Sequence, residues 1–243
     1  MTRTAVATRG PATSDAVYSV AVDEALEHLF GLADTATTEL VLVRHAEPDH
    51  NRALRAGGAF DPALSERGRC QAMRLAMRLR PADIAAIYTS TARAAVETAA
   101  VVAAAKDMPM IRAPQLRDPA VHGCAARAKE SDPQRLVAEA TVRFLNRPRW
   151  DALPGLERSK QFRHRVVQAL EGVVSHHSGK TVVVVTHQGV INAYLSMILD
   201  IPRDVFFLPD YTSLSVVRIL SDRYGVRHLN DTAHLLPAGN PRG

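Results

Sequence analysis

The chain of 243 residues has two cysteines, Cys70 and Cys124. Two cannot build a disulfide framework, and their spacing fits no zinc motif. A reducing, cytoplasmic setting is therefore expected. No run approaches the roughly 18–20 apolar residues of a membrane span. The first residues also lack the apolar stretch of a secretory signal, so neither a membrane partner nor export by that route is expected. Lysine is scarce, 4 against 26 arginines. The arginines are scattered rather than blocked, so nucleic acid is not an expected partner despite a pI near 9.5. An anionic small substrate suits the same charge. There is no Gly-rich phosphate loop, which removes ATP or GTP chemistry of that kind. What is present is ordinary for one large globular domain: 47% apolar and 23% charged residues exclude a disordered chain and a coiled coil.

The pattern divides the chain into an extension (1–38), a domain (39–236) and a short tail (237–243). Residues 1–14 carry no periodicity. From Asp15 to Ala33 a helix is expected, with Val17, Ala21, Leu26, Leu29 and Phe30 in an apolar stripe. That stripe is expected to pack on the domain, with a homodimer contact as the alternative. The domain alternates strands and helices. Glu39–Val43 is a buried strand. Ser65 caps a helix to about Leu79, and Pro81 ends it. Ile84–Tyr88 is a second strand, and Thr91 opens an Ala-rich helix to about Ala105. Met110–Arg112 is a short strand, and Asp132-Pro133 starts another helix. Arg158–His177 is helical. Thr181–Val185 is almost pure valine, as in a strand covered on both faces. A helix with Ile191, Tyr194, Leu195 and Ile198 on one face follows. Tyr211–Leu220 and Val226–Asn230 form an antiparallel hairpin joined through 221–225. The order predicts an α/β fold with parallel core strands and an antiparallel edge.

Chemistry-bearing residues gather at three strand ends. Arg44 and His45 follow the first strand, Arg93 lies in the first turn after the second, and His187 follows the valine strand. Open parallel sheets bind ligands outside the carboxyl ends of their strands. If those strands are neighbours, two Arg and two His converge there. Guanidinium groups match phosphate oxygens, helix N-termini add positive potential, and histidine can act as a nucleophile. The pattern points to phosphoryl handling.

These residues carry a resemblance. LVRHAEPDHN (42–51) resembles the signature of the histidine phosphatase superfamily, the phosphoglycerate mutase-like phosphatases, including Asn51 six residues after His45. LSERGRCQA (64–72), YTSTARAAVETA (88–99) and VVVVTHQGVI (182–191) are similar to its further motifs, in order. The resemblance implies a three-layer αβα sandwich and hydrolysis of a phosphomonoester through a phosphohistidine on His45. Arg44, Arg93 and His187 would hold the phosphoryl oxygens, Asn51 would add a hydrogen bond, and no metal or cofactor would be needed. His45 must then attack with an unprotonated nitrogen while its other nitrogen donates to a fixed acceptor.

The chain departs from the family pattern in three places. Ala46 stands where the family has Gly, and fits only if φ there is negative. Gln188 stands where a Gly follows the second His; it either donates to substrate or faces solvent. It also argues against the acid-phosphatase branch, which has Asp there. The general acid, usually a Glu after a Leu-Arg pair, would be Asp118, with Glu130 as the reserve. Plainer roles stand beside these: Asp118 as a loop cap, Asn51 as a turn residue, His50, His122, Arg52 and Arg55 as solvated groups, His176-His177 as a solvated helix end, and Glu157 with Arg165 supporting the fold. The alternatives to a phosphatase are phosphoglycerate mutase-type transfer, disfavoured by the short segment from Asp118 to His187, and a catalytically weak module that binds a phosphorylated ligand or partner. The substrate is not named by any pattern in 46–60 or 118–151.

Overall fold

A computed structural model describes residues 14–29, 37–50, 61–120, 133–152 and 155–236. Six strands form one sheet: β1 (Thr38–Arg44), β2 (Ala86–Thr89), β3 (Met110–Arg112), β4 (Thr181–Thr186), β5 (Leu214–Leu220) and β6 (Arg223–Asp231). Their spatial order is β3-β2-β4-β1-β5-β6. The first four run parallel, and β5 and β6 add the antiparallel edge. β4 thus lies between β1 and β2, and the adjacency that the strand-end argument needed is met.

Strand alternation sends successive side chains to opposite faces. Leu40, Leu42, Val182 and Val184 enter one core together with Phe162, Val166, Leu170, Ile191 and Tyr194. These come from helices α5 (Ser159–His176) and α6 (Gln188–Ile198). Val41, Val43, Val183 and Val185 enter the other, with Leu75, Ala76, Ala95, Ala99 and Val102. Those belong to α2 (Glu66–Leu79) and α3 (Arg93–Lys106). The layers are αβα, and the valine run is buried on both faces because helices cover both. Of the remaining helices, α1 spans Ser14–Leu29 and α4 spans Pro133–Asn146. None of the helices among the described residues is long and apolar enough to cross a membrane.

The α2 start is as expected: Ser65 is the N-cap and its Oγ accepts from Gly68 N, worth about 1 kcal/mol. Three expectations need correction. First, on α1 the two stripe residues whose burial is described, Ala21 and Leu26, are exposed rather than packed on the domain, as are Tyr18, Val20 and Val22; Val17, Leu29 and Phe30 lie outside the residues whose burial is described. Second, α3 opens at Arg93 rather than at Thr91. Ala92 is the N-cap without a side-chain bond, and Asp61 Oδ1, from another part of the chain, accepts from Arg93 N at 2.9 Å. Third, the hairpin is tighter: β5 starts at Leu214 and β6 at Arg223, leaving Ser221-Asp222 as the connection. Ser221 takes φ 58°, which closes the turn and lets Tyr224 and Arg223 pair with Ile219 and Leu220.

Candidate active site

Register brings the two histidines level. Arg44 pairs with Thr186 at the carboxyl ends of β1 and β4. One residue further on, His45 and His187 stand with ring centroids 5.0 Å apart. His45 N donates to Thr186 O at 2.8 Å, which locks the first residue past β1 to β4.

The His45 ring is oriented by its own backbone. Nδ1 lies 2.8 Å from Ala46 O. A carbonyl only accepts, so Nδ1 carries the proton and Nε2 keeps its lone pair. Ala46 is itself held: its N donates to Thr98 Oγ1 at 3.0 Å, and Glu47 N donates to Gln71 Oε1 at 2.9 Å. Ala46 is fully buried and is not among the residues with positive φ, so alanine fits where glycine was the family habit. This gives the 64–72 motif its physical role. Ser65 N donates to Glu47 O, and a β-carbon at Gly68 would lie 2.0 Å from that oxygen. Glycine is required for α2 to approach the segment that fixes the nucleophile.

Burial pushes the His45 pKa down to about 3, with help from the neighbouring His187. Burial likewise takes His187 down to about 4, with the cations Arg117 and Arg44 adding to the effect. Both rings are therefore neutral near pH 7. His187 caps the start of α6, and its Nε2 lies 2.8 Å from Ser90 Oγ at the end of β2. Arg44 Nη1 donates to Pro209 O at 2.6 Å, and the guanidinium lies 4.0 Å over the Tyr211 ring. Arg44 Nε is buried with no hydrogen-bond partner among the described residues.

Asp118 reaches the same place from the loop after β3. Thr186 Oγ1 donates to Leu116 O at 2.8 Å, which ties that loop to the end of β4. Asp118 Oδ1 accepts from Gly189 N at 3.0 Å, in the first turn of α6. Burial raises its pKa to about 6, against the opposing pull of His45 and of the Gly189 hydrogen bond. A carboxyl group that holds its proton to that pH is suited to general-acid work. Glu157 and Arg165 brace the loop, as expected of them. Arg165 binds Glu157 through two hydrogen bonds, at 3.0 and 2.6 Å, and donates to the carbonyls of Gln115 and Arg117.

Arg93 is less engaged. It starts α3 beside β2, but its side chain is largely exposed and Nε donates to Glu97 Oε1 at 2.8 Å. Gln188 is half-buried at the first position of α6, where its carbonyl accepts from Asn192. Asn51, Glu130, His122, Arg52 and Arg55 lie outside the described residues. His50 is exposed. His177, rather than being only solvated, meets the Tyr88 hydroxyl at 3.1 Å. Among the described residues, no three His, Cys, Asp or Glu are grouped so as to hold a metal ion.

Residues 40–232 match the histidine phosphatase superfamily (branch 1). The chain belongs to that superfamily. It is 32% identical over 199 residues to phosphoserine phosphatase 1 of Hydrogenobacter thermophilus, covering 81% of this chain and 94% of that one. It is 30% identical over 217 residues to phosphoglycerate mutase-like protein 4 of Arabidopsis thaliana, covering 88% and 94%. Among solved structures it is similar to Bacillus stearothermophilus YhfR, with TM-score 0.68, 31% identity, and coverage of 82% of this chain and all of that one.

Within this histidine phosphatase fold, some site residues carry no signal of their role in the sequence. Ser90 lies inside the 88–99 segment, but nothing in the sequence pairs it with His187. Tyr211 and Pro209 lie in an aperiodic stretch before β5. Thr212, next to them, has φ 60°, a strained conformation for a β-branched residue. It sits where its N donates to Arg44 O at 2.9 Å. That kink holds the Arg44 backbone, and Tyr211 immediately precedes it.

Proposed function

We propose that this histidine phosphatase superfamily member hydrolyses phosphomonoesters of small molecules through a phosphohistidine on His45. The observation that carries the reading is the His45 ring: Nδ1–H fixed on Ala46 O, which leaves the lone pair on Nε2, beside Arg44, His187 and Asp118. In the first step the Nε2 lone pair bonds to phosphorus and the bond from phosphorus to the ester oxygen breaks. The Asp118 proton goes to the departing oxygen, leaving an alcohol. In the second step water attacks phosphorus, Asp118 takes its proton, and the phosphorus–nitrogen bond breaks to release phosphate.

Arg44 and His187 meet the phosphoryl oxygens, and Arg93 joins them by exchanging Glu97 for phosphate. Asn51 follows the nucleophile segment as a further donor, and Gln188, at the start of α6 beside His187, is a second one. Charge on the transferring group is met by guanidinium and imidazole N–H donors, so the reading assigns no metal and no cofactor. One relative, 29% identical over 211 residues, is the metal-independent phosphoserine phosphatase of Arabidopsis thaliana. The setting is proposed to be cytoplasmic, with no nucleic-acid partner. His45→Ala should abolish turnover of an aryl phosphate, read as release of the phenolate. Full turnover by that variant would overturn the proposal.

A further inference from the structure

Two helices present faces that nothing among the described residues covers, and the two are complementary. On α2, Cys70, Met73 and Met77 follow one another at spacings of three and four residues, so they form one outward strip. Cys70 is exposed, and Met73 and Met77 are 52% and 74% exposed. Guanidinium groups border the strip: Arg67, Arg69, Arg74 and Arg78 on the helix and Arg80 just past its end, against the single acid Glu66. Arg69 and Arg74 donate to the carbonyls of Leu64 and Leu235, which leaves their charge in place. Arg67 and Arg78 meet Glu47 and Asp231 only at 3.4 and 3.8 Å, from exposed positions. A cavity of about 250 Å³ opens beside the strip between Arg67, Cys70, Gln71, Arg74 and Leu235. It has room for a carboxylate side chain.

Helix α1 is the counterpart. It carries Asp15, Asp23, Glu24 and Glu27 and has no lysine or arginine. Tyr18, Val22 and Leu26 recur every four residues along one side, and all three are exposed. Every residue from 18 to 27 is exposed, so α1 is not packed on its own domain. It also lies outside the 40–232 stretch that matches the superfamily, whereas α2 lies within it.

We propose that α1 of a second copy docks on the exposed strip of α2, and the reverse, giving a symmetric dimer with two identical contacts. Tyr18, Val22 and Leu26 cover Cys70, Met73 and Met77 as an apolar helix face laid on an apolar strip, and methionine adapts to the side chains it meets. Asp23 and Glu27 stand one position beyond Val22 and Leu26, at the border of that face, where the arginines of α2 receive them. Charge also sets the pairing: an Arg-rich α2 repels another α2, and an acidic α1 repels another α1.

The proposal stands apart from the phosphatase reading, since neither face enters the active site. Native Cys70 lies inside the contact and serves as the probe. In a full-length Cys124→Ser chain, Tyr18→Cys, Val22→Cys and Leu26→Cys are each oxidised under mild conditions. At least one should form a disulfide to Cys70 that runs as a dimer on a non-reducing gel and is confirmed by peptide mass, whereas Val20→Cys, off the strip, should give about tenfold less. Sedimentation of the wild-type chain should show twice the 26.4 kDa of one chain. Its Kd should weaken by about tenfold between about 50 and 500 mM salt. Leu26→Glu and Met77→Glu, both at exposed positions, should each be monomeric at concentrations where wild type is dimeric, with an unchanged circular dichroism spectrum showing that they fold. A disulfide to Cys70 of the same chain, running as a monomer, overturns the proposal, because α1 then folds back on its own α2. Absence of any disulfide between copies from the three positions also overturns it. So does a wild-type monomer, or a dimer that both Glu variants leave intact, which would use another surface.

Discussion

Gly189→Ala is the most direct probe of how Asp118 is held. A β-carbon at position 189 would stand 2.5 Å from Asp118 Oδ1, about 0.9 Å inside ordinary contact. Retreat of the helix is blocked on two other sides, by Trp150 Cζ2 at 3.2 Å and Pro119 Cδ at 3.3 Å. The carboxyl group must therefore move, and its hydrogen bond from Gly189 N goes with it. A displacement near 1 Å at a reacting group costs on the order of 100-fold. The cost should fall only on chemistry that needs the proton. In single-turnover experiments an alkyl phosphate should lose about 100-fold, whereas an aryl phosphate, whose phenolate leaves without protonation, should lose less than about threefold. Gly172→Ala is the control, since nothing lies within 4 Å of its added carbon; both esters should be unaffected. Equal losses on the two esters in Gly189→Ala, or no loss on either, would refute the assignment of Asp118 as the acid.

Other outcomes follow from the same geometry. The ratio of alkyl to aryl ester turnover should fall as pH rises through about 6, where Asp118 gives up its proton; Asp118→Asn should flatten that ratio, and taking the ratio removes the substrate's own ionisation. His45 and His187 have folded values of about 3 and 4 against 6.5 unfolded. The unfolded chain therefore binds more protons below 6.5, and the stability these groups confer is full above that pH. It is lost on acidification, by up to about 1.4 kcal/mol per pH unit per ring, and urea midpoints at pH 7 and 4.5 should show it, with His45→Gln less sensitive than wild type. Thr98→Val leaves Ala46 N without its acceptor in the core and should cost about 1–3 kcal/mol in urea unfolding. Glu157→Gln should lower the melting temperature and slow alkyl more than aryl esters, because Arg165 then holds the Asp118 loop less firmly.

The parts of the fold that sequence made legible are those written in periodicity. The valine strand, the Ser65 cap and the Ala-rich face of α3 each state their structure locally. Arg44, His45 and His187 were legible because each sits one step past a strand, where register alone fixes position. Asp118 was legible only by its place after Leu116-Arg117, and its environment depends on Gly189, 71 residues away. Contacts between aperiodic segments were not legible: the Asp61 carboxylate at the start of α3, Ser90 on His187, and Tyr211 under Arg44. Arg93 shows the limit from the other side. Its position on the helix was readable, but its pairing with Glu97 depends on side-chain choice among several acceptors. The exposure of α1 was likewise unreadable, because a sparse apolar stripe does not say what covers it.

The central claim is a phosphoryl group carried on His45 Nε2. Rapid acid-free quenching during turnover of an aryl phosphate, followed by peptide mass analysis, tests it. The account predicts an alkali-stable, acid-labile phosphoramidate on the peptide containing His45, absent in His45→Ala. Phosphate carried on another residue, or full turnover by His45→Ala with no phosphorylated peptide, would contradict it.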